Sequence, residues 1–178
     1  MIFSLIITFL FGIQTTVSEK TELIDWSEKR KLTWTDFKGT PDPASPNAAL
    51  TSSSINIDFE YDQQELKFYI RCRFNTVKSW GKVKTDYILA HEQGHFDIAE
   101  LYARKMFKAL KAYKYNPKTI SDDINRIYQE IMTSHHQFQS AYDRETDHSR
   151  IPDKQAEWEK KINDELKALE AFKDYRKK

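Results

Sequence analysis

The sequence lacks most of the features that would classify it by composition alone. It has a single cysteine, Cys72, among 178 residues, so an internal disulfide is excluded in any compartment. Neither charge is in surplus: 28 Lys and Arg stand against 27 Asp and Glu, a net charge of +1. With no broad basic stripe either, a nucleic-acid partner is not expected. No internal repeat is visible, and no second long apolar run follows the first eighteen residues. No cysteine stands where a lipid anchor would need one. The remainder is expected to stay out of the membrane.

What the sequence does contain supports one folded domain. Hydrophobic residues make up 39% and aromatics 13%, enough for a packed core in one domain. Residues 1–18 carry no charge, and the apolar run from Ile2 to Ile13 has the length of a signal-peptide core. It is short of the roughly 20 residues that a membrane-spanning helix needs. Thr16 and Ser18 suit a cut after Ser18, although no Lys or Arg precedes the run. The expectation is a signal peptide over 1–18 and one exported domain over 19–178, periplasmic or extracellular. A retained N-terminal anchor is the alternative.

Hydrophobic period divides the domain. Residues 38–49 hold three of the five prolines and read as a loop. Residues 52–58 alternate, with Ile55, Ile57 and Phe59 opposite Asn56, Asp58 and Glu60. Residues 66–74 alternate again, so a β-hairpin turning at 61–65 is predicted. Cys72 falls in the second strand as a packing residue. After Gly81 the period becomes helical. Leu89, Phe96, Ala99, Ala103, Met106, Leu110 and Tyr113 predict a helix over about 85–113. Asn116-Pro117 breaks it, and Ser121 with Asp122 and Asp123 offers a new helix start. Ile124, Ile127, Ile131, His135, Phe138 and Tyr142 mark the second helix, followed by a polar link over 143–149. Ile151-Pro152 opens a third, with Trp158, Ile162, Leu166, Leu169 and Phe172 on its apolar face. Strands first and helices after make an α+β fold.

The chemistry centres on His91-Glu92-Gln93-Gly94-His95. Residues four apart on a helix differ by about 40° around the axis, so both imidazoles face one side. That pair suits Zn²⁺. Glu92, about 100° from His91, is placed to reach a zinc-activated water as general base rather than the ion itself. Gly94 costs about 1 kcal/mol against Ala in a helix interior, which points to a close approach there. A third ligand must come from elsewhere. His148 is the first choice, an acid of residues 143–147 the second and His135 the third. His135 sits on an apolar stripe and reads as an interhelical residue, and His136 as solvated. Asp97 and Glu100 could orient the two imidazoles through their second nitrogens. Tyr142 could donate to an oxyanion, with core packing the plainer role. Arg104 could pair with an acid of 143–147, and Trp34 and Trp158 read as core anchors.

At these residues the chain resembles a bacterial family of predicted secreted zinc-dependent proteases, catalogued as a domain of unknown function. Three stretches carry the likeness: Leu32-Thr33-Trp34-Thr35-Asp36-Phe37-Lys38-Gly39; His91 through Glu100 and on through Tyr102-Ala103-Arg104; and Tyr142-Asp143 with Glu145-Thr146 and His148, followed by Gln155 and Trp158. The resemblance implies export and a zincin-like core. It also favours His148 as third ligand, since the family's second motif ends in a histidine. That motif usually continues with glycine, where this chain has Ser149.

The combined expectation is a secreted zinc metallohydrolase, a peptidase acting on peptide or protein substrates, with Glu92 catalytic and His91, His95 and His148 holding Zn²⁺. The alternative is an exported binding or assembly module with a structural or vestigial zinc site.

Overall fold

The computed structural model describes residues 22–62 and 64–175. The expected signal segment, residues 1–18, lies outside the described residues. Among the described residues no helix is long and apolar enough to cross a membrane.

The alternating segments pair as expected. Strands β3 (Ser53–Tyr61) and β4 (Leu66–Asn75) run antiparallel, from Ser53 opposite Phe74 to Tyr61 opposite Leu66. The Asp62 carboxylate accepts the backbone N–H groups of Gln64 and Glu65 and closes the turn, as an Asx turn does. Ile55, Ile70, Cys72 and Phe74 are buried on one face, while Asn56, Asp58 and Arg71 stay exposed on the other. Three short strands escaped the sequence pattern. Strand β1 (Leu23–Asp25) lies on the other edge of β4, giving the order β1-β4-β3. Strands β2 (Ala49–Leu50) and β5 (Trp80–Gly81) pair with each other, so the proline-rich loop ends in a strand.

Helix α1 (Asp86–Ala112) is the centre of the molecule. Thr85 caps it, accepting from the Ile88 N–H, and it ends at Tyr113. On one side Phe96 meets Phe74 and Phe107 meets Phe68. On the other, Tyr102 meets Phe138 of the second helix and Arg104 reaches the third. Enclosure from both sides explains why a helix of modest hydrophobicity buries His91, Glu92, Asp97, Glu100 and Arg104.

Helix α2 (Ile120–Thr146) starts behind Thr119 rather than at Ser121, with the Thr119 hydroxyl donating to Asp123. The expected polar link is a correction of more consequence: residues 143–146 are the last turn of α2. Thr146 is fully buried and donates its hydroxyl to the Tyr142 carbonyl, which continues the helix without an apolar repeat. Helix α3 (Pro152–Ala168) begins with its proline at the first turn, where no N–H is needed, and buries Trp158, Ile162 and Leu166.

Candidate metal centre

Both imidazoles of the motif project from α1 to one side, and the last turn of α2 brings Asp143 to meet them. His91 Nε2 and His95 Nε2 are 3.2 Å apart. Asp143 Oδ1 lies 3.2 Å from the first and 3.0 Å from the second. Tetrahedral zinc with ligands near 2.05 Å sets its donors about 3.3 Å apart. The three atoms therefore span nearly the triangle that such an ion requires. They are the group of His, Asp and Glu ligand atoms, among the described residues, close enough together to hold one.

The protonation of this triangle follows from two glutamines that the sequence reading did not place in the site. Gln139 donates its amide Nε2 to the His95 carbonyl at 2.9 Å, which turns its Oε1 toward His95 Nδ1 at 2.6 Å. Gln155 donates Nε2 to the Tyr142 hydroxyl and to Glu159, which turns its Oε1 toward His91 Nδ1 at 2.8 Å. A carbonyl oxygen can only accept, so each Nδ1 carries the proton. In the neutral ring each Nε2 then has a lone pair to give a cation, and with no cation between them a proton on Nε2 joins the imidazoles to the Asp143 carboxylate. Three electron pairs converging within 3.2 Å favour a cation at their centre. Burial pulls the His95 imidazole down, but the Asp143 carboxylate outweighs it and holds His95 above its ordinary value. Burial likewise pushes Asp143 up, and the two imidazoles outweigh it, holding the carboxyl well below the usual range.

Glu92 completes the centre. Its side chain is buried, and Oε2 has no hydrogen-bond partner among the described residues. An unpaired buried carboxylate oxygen is costly, so its retention beside the two histidines points to chemistry. The donor set, the tautomers and this orphaned oxygen all fit a zinc ion with water beside it. A cleft over the centre is lined by residues 47–53, Ile88, Glu92, His135, Gln139 and His148.

Every residue of the motif now has a role. Gln93 accepts the Leu32 N–H and donates to Asp97, which also accepts from Trp26 Nε1. Asp97 thus pins the N-terminal segment and does not orient a histidine. Gly94 leaves room for Tyr142: a Cβ there would collide with the phenol hydroxyl and lie 2.9 Å from ring Cζ. Tyr142 is fully buried, stacked on His91 at 4.5 Å, and commits its proton to the His91 carbonyl. Core packing, not an oxyanion contact, is its role. Burial also lifts its phenol well above the usual range.

Two further expectations are corrected. Glu100 faces away from the centre, paired with Arg104 and bonded by the Tyr175 hydroxyl. Arg104 binds Glu100 and the Leu166 carbonyl rather than an acid of 143–147. Three other readings agree with the structure. His136 is exposed and Trp158 buried. His135 packs between helices against Tyr102, and burial depresses its imidazole to about 4.

His148 stands beside the triangle rather than in it. Its Nδ1 is 3.4 Å from the same Asp143 Oδ1, and its side chain is 40% exposed. It sits in an unusual turn: Asp147, His148 and Ser149 have φ of 47°, 51° and 70°. Left-handed backbone costs roughly 1–2 kcal/mol for each non-glycine residue, and such strain gathers at functional sites. Ser149→Gly should therefore raise stability by about 0.5–1 kcal/mol, read as a higher Tm in thermal unfolding. A lowered Tm would show that Ser149 is relaxed in this turn.

Fold and site together define an α+β protein with a candidate histidine–carboxylate metal site between its central helix and α2. Residues 18–149 match the family described as bacterial protein of unknown function (DUF922), and the chain belongs to that family. No curated protein and no solved structure matches it. The match stops short of α3, which supplies Gln155 to His91.

Proposed function

We propose that this chain is an exported, zincin-like zinc metallohydrolase, a peptidase with Glu92 as general base. The observation that carries this reading is the convergence of two Nε2 lone pairs and a carboxylate beside the unpartnered Glu92 Oε2. Zinc bound there supplies Lewis acidity, acidifying water and polarising an amide carbonyl. Glu92 Oε2 receives the proton that the attacking water loses and returns it to the leaving amine. Gln139 and Gln155 keep the protons of His95 and His91 on Nδ1, so that both Nε2 atoms stay available. The uncharged segment 1–18 supports export.

For the third ligand the geometry favours Asp143 over His148. Asp143 Oδ1 lies 3.2 and 3.0 Å from the two Nε2 atoms and joins them in one ligand-sized group, which His148, 3.4 Å from that oxygen, does not. The test is peptide hydrolysis by chelator-stripped protein before and after one equivalent of zinc, with zinc affinity measured by competition. Activity should return with zinc. Asp143→Asn should weaken zinc more than about 100-fold, and His148→Ala no more than about 100-fold, as outer partners of a ligand do. The opposite order would assign His148 as the ligand. A zinc-loaded protein inert toward every peptide would overturn the peptidase reading.

A further inference from the structure

The cleft over the metal centre does not end at His148. A second cavity of about 410 Å³ adjoins it, and the two share Asn47, Ala48, Ile88, His148 and Ser149 as walls. The far side of this second cavity holds Val83, 48% exposed, and Tyr87, 39% exposed. Both are bulky apolar residues left open to solvent next to a site that needs a substrate, and apolar surface of that kind marks a binding face.

The charges of the wall narrow the occupant. No Asp or Glu lines the cavity among the described residues. Its two cations are engaged with the chain itself. Lys82 Nζ donates to the Ser45 carbonyl and lies over the Trp80 ring at 5.5 Å. Arg150 donates to Asp147 and to the Pro46 carbonyl. A basic side chain entering here would meet two cations and no carboxylate in the wall, since Asp147 is paired with Arg150 and Glu159 acts on Tyr87 from outside the lining. An apolar one would cover Tyr87 and Val83.

We propose that this cavity is the specificity subsite of the enzyme. It receives a bulky apolar or aromatic side chain flanking the scissile amide and rejects a basic one. The inference rests on the peptidase reading for its meaning, and on cavity continuity and wall chemistry for its content.

The test uses decapeptides of Gly, Ser and Ala carrying one central Phe, Leu, Ala or Lys. Binding is read by fluorescence anisotropy on the zinc-loaded Glu92→Gln protein, and cleavage as kcat/KM on the zinc-loaded wild type. Phe and Leu peptides should bind and cleave about tenfold better than Ala, the range a hydrophobic pocket delivers, with Lys below Ala. Tyr87→Ala should bring the kcat/KM and the affinity of the Phe peptide down toward those of the Ala peptide. Val83→Glu should raise acceptance of Lys. Both positions are exposed, so folding is not at stake. Equal binding of the Phe and Lys peptides overturns the subsite and leaves the peptidase reading standing. Absence of cleavage of all four sinks that reading, while the binding order still decides the subsite.

Discussion

Replacing Glu92 by Gln is expected to lower peptide hydrolysis by about 10³-fold, the scale of a lost general base, while zinc affinity stays at the wild-type value. Gln has the shape of Glu, so the walls of the cleft stay in place. What is lost is the ability to take a proton at Oε2, the buried oxygen that has no partner among the described residues. None of the three atoms of the ligand triangle belongs to Glu92, so metal retention is the matching half of the result. A buried unpaired carboxylate is also a destabilising group, so the variant should melt at or above the wild-type temperature. That pattern of lost activity without lost stability belongs to a residue kept for chemistry. A non-catalytic zinc module would show the contrary: full function in Glu92→Gln.

The second large effect is expected at Gly94. In an ordinary helix interior Gly→Ala stabilises by about 1 kcal/mol. Here the sign reverses, because the new methyl group would enter the space of the Tyr142 phenol. That ring cannot retreat. It is stacked on His91, edge-on to His95 at 5.0 Å, and backed by Trp158 at 5.6 Å. Its hydroxyl is held by Gln155 and by the His91 carbonyl. Gly94→Ala should cost roughly 1–3 kcal/mol, the penalty of overpacking, read as a lower denaturation midpoint. Because Tyr142 and Gln155 also position His91, zinc affinity should fall with it. Adding Tyr142→Phe removes the closest atom and should recover part of the loss. A stabilised Gly94→Ala protein would show that Tyr142 does not pack against this helix as described.

Much of this arrangement was legible in the chain. The ends of α1 at Thr85 and Tyr113, the hairpin with its turn before Leu66, and the start of α3 at Ile151-Pro152 follow from period, capping and proline, which are local signals. The convergence of His91 and His95 follows from helix geometry alone. The reach of α2 to Thr146 was hidden because its last turn is held by a buried hydroxyl and ended by backbone strain, neither of which has a hydrophobic period. That hidden turn is what delivers Asp143. Gln139 was silent, and Gln155 stood only in the family likeness without a role, because an amide carries no charge and acts here only through tertiary partners. Gln139 lies four residues from His135 on the face of α2 that meets α1, and that spacing was the one signal for it. Glu100 and Arg104 stand four residues apart, a spacing that the reading of Arg104 toward residues 143–147 passed over, and their burial depends on α3 and Tyr175, far along the chain. Strands β1, β2 and β5 are two or three residues long and exist only through their partners.

The most direct measurement is anomalous-difference crystallography of the zinc-loaded protein. The account predicts one zinc per chain, within about 2.0–2.2 Å of both histidine Nε2 atoms and of an Asp143 oxygen, with each Nδ1 still on its glutamine. Zinc found elsewhere, or the two imidazoles turned apart with no ion between them, would contradict it.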